Sequence, residues 1–257
     1  MRTTSLYHRA SPESWKGRVD SLEDRDAFRL HQVVECLDLE QEPPKVLPPG
    51  FVGFGLLGYC GDQGVQQNLG RPGAAQGPMS IRQELANLPC TFDANTHLYD
   101  AGDVVVDEEP MERGQHALGL MVSRMLGAHL FPILLGGGHE LALGHYRGIR
   151  EWLGQPGRRS PPKLGIINFD AHLDLRPHDQ GASSGTMFSQ IAELCERAGD
   201  GFSYCCVGAQ MYGNTTSLFR KARSLNSLTL LAREINETGT QEALKTVLNF
   251  AGQHDYL

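Results

Sequence analysis

The chain lacks a basic surplus. Its 23 lysines and arginines face 30 aspartates and glutamates, a formal net charge of −7, so it has no basic stripe with which to wrap nucleic acid or lie on an anionic membrane. Long apolar runs are missing too. Stretches such as Phe131 to Leu135 fall far short of the roughly 18 residues that a membrane span needs. Met1 to Trp15 is polar with scattered charges and has no apolar h-region, so no secretory signal is evident. The six cysteines (Cys36, Cys60, Cys90, Cys195, Cys205 and Cys206) form no C-x-x-C pair and no zinc-knuckle spacing. Reduced thiols and a cytoplasmic location are the expectation.

What is present is the ordinary stock of a globular protein. A length of 257 residues, 40% apolar and 21% charged, suits one large domain or two small ones with a sizeable core. Thirty glycines point to many tight strand-to-helix turns. Residues 1–50 are polar and end in Pro43-Pro44 and Pro48-Pro49-Gly50, which reads as an N-terminal helix or arm joined by a turn-rich link to a body that starts at Phe51. From Phe131 onward, apolar runs alternate with segments of helical period. The runs are Phe131 to Leu135, Leu164 to Phe169, Phe202 to Val207 and Ser227 to Leu231. The spacing predicts helices over about 140–153, 184–197, 214–223 and 239–252. Leu118, Met121, Val122, Met125 and His129 recur at the spacing of a core-facing helical stripe. Strands without strict alternation, separated by helices, indicate an α/β fold with a parallel sheet covered on both faces. In such sheets the ligand crevice lies beyond the carboxyl ends of the strands.

Two strand ends carry chemistry. Gly136-Gly137-Gly138-His139-Glu140 follows the first run, and Asp170-Ala171-His172-Leu173-Asp174 follows the second. Alone, a His or Asp at a strand end reads as a turn or cap residue. In an extended segment, residues i, i+2 and i+4 point to one side at about 6 to 7 Å per step, which would let Asp170, His172 and Asp174 converge. With His139 they offer two imidazoles and two carboxylates and no thiolate, a set suited to Mn²⁺ and less clearly to Zn²⁺ or Fe²⁺. Two lookalikes fall away. Gly53-Phe54-Gly55-Leu56-Leu57-Gly58 matches G-x-G-x-x-G but has little strand before it and no helix expected after it. His139-Glu140 with His145 misses the zincin spacing, since i+6 lies about 120° off the required helical face.

With these motifs the sequence resembles the ureohydrolase family of arginases, agmatinases and formimidoylglutamases, from about Phe51 onward. Gly-Gly-x-His and Asp-Ala-His-x-Asp look like two of the family's three metal motifs. Asp62, Gly64, Asn68, Gly70-Arg71, Gly73-Ala74, Gly77-Pro78 and Ile81-Arg82 look like its N-terminal loop and helix entry. Three local features look like formimidoylglutamase. They are Gly138-His139-Glu140 where arginases carry Asp-His-Ser, Ser183-Ser184-Gly185-Thr186-Met187-Phe188, and Asn214-Thr215 with Leu218-Phe219 and Ala222. The resemblance implies a three-layer α/β/α fold with a mainly parallel sheet. It also implies hydrolysis of N-formimidoyl-L-glutamate to L-glutamate and formamide, a step of histidine degradation, with two Mn²⁺ ions. Asp170 would bridge both ions, His139 and Asp174 would bind one, and His172 the other. Paired cations of this kind lower the pKa of a shared water and stabilise an anion-like tetrahedral intermediate. Phe188 stands where arginases place a proton-shuttling His, so no shuttle is assigned. Arg176, Ser184 and Thr186 sit on the loop that would line the mouth and hold the substrate's two carboxylates. A solvated loop arginine, and helix N-capping by the hydroxyl residues, are the alternative readings.

The family completes its ligand set with a third motif, Asp-x-Asp. The chain's one Asp-x-Asp is Asp24-Arg25-Asp26, in the N-terminal region. His254-Asp255-Tyr256-Leu257 resembles the segment that enters the strand carrying the third motif. The expectation is therefore an arm over 1–50 and an incomplete catalytic domain over 51–257, with the C-terminal strands missing and exposed sheet edges that favour aggregation. Two other readings stay open: an inactive member acting as a binding or assembly subunit of a homo-oligomer, and the same chemistry on agmatine or another guanidino substrate. From the ligand count we predict that this chain holds at most one weakly bound ion and turns over formimidoylglutamate poorly. Elemental analysis showing two ions per chain, together with robust turnover, would prove the count wrong.

Overall fold

The computed structural model describes residues 6–41, 47–155 and 162–257. Pro43 and Pro44 of the expected link, and Met1 to Ser5 of the polar start, lie outside the described residues. The chain divides into two compact units, Met1–Gln155 and Pro156–Leu257, each with its own sheet.

In the first unit β1 (Tyr7–His8), α1 (Leu30–Val33), β2 (Glu35–Cys36), β3 (Val52–Cys60), α2 (Gln63–Gln67), α3 (Gly77–Ala86), β4 (Thr96–Val105), α4 (Met111–Gly127), β5 (Leu130–Leu135) and α5 (Leu141–Leu153) follow in order. β3 pairs in parallel with both β4 and β5. The residues before Phe51 contribute two short strands to β4. β2 pairs with it in parallel at Tyr99–Asp100, and β1 antiparallel at Asp103–Val104. Gly53, Gly55 and Gly58 lie inside β3, where the side chains of Leu130, Met125 and Asp103 occupy the space of each missing Cβ. These glycines therefore serve packing. A helix does follow the run, contrary to expectation, but α2 has only five residues and begins beyond the glycines.

The stripe on α4 is core. Leu118, Met121, Val122 and Met125 are essentially inaccessible and pack with Leu57, Tyr59, Val104 and Leu130, each such burial contributing about 1.5–3 kcal/mol. His129 leaves the pattern. The helix stops at Gly127, and His129 turns through a left-handed φ of 59° into β5 with its side chain exposed.

A buried guanidinium organises the junction of α3 with β4. Arg82 Nε and Nη2 donate to the two oxygens of Asp100, both at 2.8 Å, and Nη1 donates to Asp103 at 2.7 Å. Nη2 also donates to Gly102 O, and Trp15 Nε1 donates to Asp100 Oδ2 at 2.7 Å. Gly102, at φ 81°, lies where the β3/β4 register shifts, so the ion pair spans the irregular step in the strand. Asp100 is 1% exposed as a side chain and Arg82 2%. Breaking one side of such a pair leaves an uncompensated buried charge.

The second unit contains β6 (Ile166–Phe169), α6 (Met187–Ala198), β7 (Tyr204–Ala209), α7 (Thr216–Ser224), β8 (Leu228–Leu231), α8 (Ala232–Thr238) and α9 (Thr240–Ala251). Its three strands are parallel in the order β6-β7-β8. Cys205, Val207 and Phe250 form a core with Ile167, Leu228, Leu230, Ile235 and Val247 against it. Tyr256 pairs with Leu164 in an isolated parallel bridge, and His254 Nε2 lies 2.6 Å from Ser203 Oγ. The four expected strands and four expected helices form within a few residues of their anticipated bounds, and α8 is an addition.

For Arg82→Ala we predict a stability loss of about 3–5 kcal/mol by urea denaturation. A loss below about 1 kcal/mol, the size of an exposed pair, would show that Asp100 does not depend on the guanidinium.

Candidate metal centre

His139 belongs to the turn that joins β5 to α5. Gly137 N–H donates to Tyr59 O at 3.0 Å and Gly138 N–H to Gly61 O at 2.8 Å, so the turn is pinned to the chain leaving β3. A side chain on Gly137 would collide with those same carbonyls. His139 is half-buried and precedes the helix, which begins at Leu141. It therefore shares no helical face with His145. Glu140 is fully buried. Its Oε1 accepts the Gly64 N–H at 2.9 Å, its main-chain oxygen accepts Gln115 Nε2 at 2.9 Å, and its Oε2 has no hydrogen-bond partner among the described residues. Burial pushes its carboxyl above the usual carboxylate range. A Cβ at Gly138 would overlap the Glu140 carboxyl, and one at Gly64 would press on it. Glycine at both positions is thus the counterpart of the glutamate.

The second motif follows β6, and its local geometry differs from the expected extended strand. β6 ends at Phe169 and residues 170–172 bend. Asp170 N–H still reaches Val207 O at 3.1 Å, while Asp170 Oδ1 folds back to accept the His172 N–H at 2.9 Å. Local side-chain to backbone bonding of this kind competes with the sheet ladder. His172 is exposed, with its Nδ1 3.4 Å from Asp170 Oδ1. Asp174 takes a left-handed φ of 47° and is nearly buried. The bend, not strand alternation, brings a carboxylate oxygen of Asp170 and one of Asp174 within 4.8 Å of each other. The Cys206 thiol faces the carbonyls of Asp170 and His172 at 3.6 and 3.4 Å. Burial pushes it up to about 12, so it remains a protonated donor at neutral pH.

The mouth residues divide by environment. Arg176 is exposed, and its N–H donates to Gly185 O at 3.0 Å. Ser184 is half-buried. Thr186 is buried, and its hydroxyl accepts from Ser183 N–H and lies 3.0 Å from both Ser183 O and Gln190 Oε1. It stands just before α6 but makes no side-chain bond to the helix N–H groups. Its hydroxyl ties the loop. Phe188 is buried against Tyr204, ring centroids 4.6 Å apart, and carries no proton to exchange.

The comparison with known proteins decides the family, because residues 53–257 match the Arginase family. The chain belongs to the arginase family. It is 41% identical to a formimidoylglutamase of Clostridium tetani over 254 residues, covering 98% of this chain and 74% of that protein. It is 40% identical to one of Geobacillus thermodenitrificans over 250 residues, covering 97% and 74%. Among solved structures, a variant of Trypanosoma cruzi formiminoglutamase with Mn²⁺ superposes with a TM-score of 0.67 at 26% identity, covering 81% of this chain and 71% of that one. Bacillus subtilis formimidoylglutamase shares the fold, with a TM-score of 0.72 at 21% identity over 92% of this chain and 70% of that one. The fold is thus arginase-like α/β, as the resemblance implied, with the mostly parallel strands expected from the alternation of runs.

Within an arginase-family chain the donors described above suit a hard divalent ion. Two carboxylates converge in one loop, and carboxylate oxygen is a donor suited to hard ions such as Mn²⁺. Among the described residues no helix is long and apolar enough to cross a membrane. Sequence reading missed Cys206, Tyr204 and Asn214 as neighbours of the second motif. Asn214 stands out in the sequence only through the family resemblance, and no spacing links residues this far apart.

The packing at Glu140 generates a test. Gly138→Ala should cost about 1–3 kcal/mol, the range for overpacking, and most of that cost should vanish in a Glu140→Ala background. Additive losses in a double-mutant cycle by urea denaturation would show that the two side chains do not compete for one space.

Proposed function

We propose that the protein is a formimidoylglutamase, a manganese hydrolase that cleaves the amidine C–N bond of N-formimidoyl-L-glutamate to give L-glutamate and formamide. The observation that carries the substrate is the identity to proteins of that name across nearly the whole chain. The converging carboxylates of the Asp170–Asp174 loop support the metal chemistry. In this reading residues 51–257 are the catalytic segment and residues 1–50 an arm. In the complete family set Asp170, His139 and Asp174 would hold one Mn²⁺ ion, and His172 with Asp170 would contribute to holding a second. These four residues are only part of a binuclear set. When bound, paired cations make a water acidic enough to attack near neutral pH and offset the charge of the tetrahedral adduct.

The chain's own residues supply positioning. The exposed Arg176 guanidinium suits a substrate carboxylate by a charge-assisted fork, with the Ser184 hydroxyl beside it on the same loop. Thr186 keeps that loop in register through Ser183 and Gln190. Phe188 packs on Tyr204 and has no group that could take part in proton transfer. A cytoplasmic enzyme that assembles as a homo-oligomer belongs to the same reading, and its location is supported by six cysteines held as free thiols.

The test is a substrate panel in the presence of Mn²⁺. Turnover of N-formimidoyl-L-glutamate is expected to exceed that of agmatine and arginine. Asp170→Asn should lower it by about 100-fold or more, since loss of a mere outer-shell partner already costs 10–100-fold. Preference for a cationic substrate would sink the assignment.

A further inference from the structure

We propose that Asn214 is the positioning residue that sets the Asp170–Asp174 loop in its ligand-presenting shape. The proposal rests on the metal reading above for what the loop presents, and on hydrogen bonding for how it is held. Asn214 is 9% exposed. Its Oδ1 accepts the Leu173 N–H at 2.9 Å, and its Nδ2 donates to Ala171 O and Gln210 O, both at 2.8 Å. One amide thus grips the loop on both sides of His172, immediately after Asp170 and immediately before Asp174. The arrangement needs a carboxamide. A carboxylate would set negative oxygen against two carbonyls, and an aliphatic side chain would leave the buried Leu173 N–H unpaired and Ala171 O and Gln210 O with only the N–H groups of Gln210 and Gly213.

The other contacts to the loop act on single carbonyls or share them. Tyr204 Oη donates to Leu173 O at 3.0 Å and accepts from Asn168 Nδ2 at 3.1 Å. Gln210 N–H donates to Ala171 O at 2.9 Å. The Cys206 thiol faces Asp170 O and His172 O. Asn214 pairs with both an N–H and a carbonyl of the loop. Asp174 needs this support, because a non-glycine residue at φ 47° persists only where its surroundings over-determine it.

The role separates from general folding. Thr215, and not Asn214, offers its hydroxyl to the first turn of α7, accepting the Leu218 N–H at 3.4 Å. Leu218 and Ala222 bury that helix. Truncating Asn214 should therefore release the loop and leave α7 in place.

The experiment compares Asn214→Ala and Asn214→Asp with Leu218→Ala, which truncates a buried side chain of α7 that makes no hydrogen bond to the loop. Amide hydrogen exchange on the metal-free protein reads the clamp itself. Both Asn214 variants should exchange faster across residues 170–174 than the unmodified chain, with β7 unchanged. Mn²⁺ titration followed by electron paramagnetic resonance reads the consequence. Both Asn214 variants should bind Mn²⁺ about 10–100-fold more weakly, the usual effect of losing a partner that orients a ligand, while Leu218→Ala keeps native affinity. Unchanged loop exchange, native Mn²⁺ affinity in Asn214→Ala, or equal weakening in Leu218→Ala would each overturn the proposal. If the unmodified chain takes up no Mn²⁺, the metal reading is what fails, and the exchange measurement still decides whether Asn214 holds the loop.

Discussion

A turn that leaves the sheet ladder must have its backbone polar groups paired by something else. Both motif-bearing turns obey this constraint. After β5 the partners are main-chain carbonyls: Tyr59 O and Gly61 O take the N–H groups of Gly137 and Gly138. After β6 the partners come from β7 and the turn beyond it, through Val207 O, Cys206, Tyr204 and Asn214. In the first case the chain must approach so closely that only glycine fits. In the second the approach is looser and side chains fill the gap. Since a buried unpaired peptide group costs about 1–3 kcal/mol, neither turn could keep its shape by the preferences of its own residues alone.

The same logic explains what was legible in the sequence. The strands and helices between Phe131 and Ala251 were readable because apolar runs and a 3.6-residue period encode them locally. The described residues before Phe51 were not, because the elements they form are two to four residues long and too short to express a period. α8 was overlooked for a related reason, since it buries no residue fully and so shows no apolar stripe. His129 fitted the α4 stripe by spacing, yet spacing carries no information about where a helix ends.

The metal motifs were legible as residue types and misleading as geometry. Donor chemistry singled out His139, Asp170, His172 and Asp174, but alternation along a strand was the wrong reason for convergence. Asp170 reaches its own neighbour's N–H, and that local bond bends the chain before a strand can continue. The partners that shape the loop lie 31 to 43 positions downstream (Tyr204, Cys206, Gln210 and Asn214), a separation that only the tertiary fold closes. Glu140 is similar. The sequence marked it as a departure from the arginase pattern, and the structure supplies the reason that glycines accompany it at 64 and 138.

Asp174 is the residue at which these demands meet. A left-handed backbone would be more comfortable with glycine, and a search for greater thermal stability would favour that exchange. Glycine, however, carries no carboxylate. If Asp174 holds metal as proposed, position 174 is one where selection for robustness and selection for chemistry pull in opposite directions. The conflict cannot be settled at that position, so any stabilising change must be made in the scaffold around it.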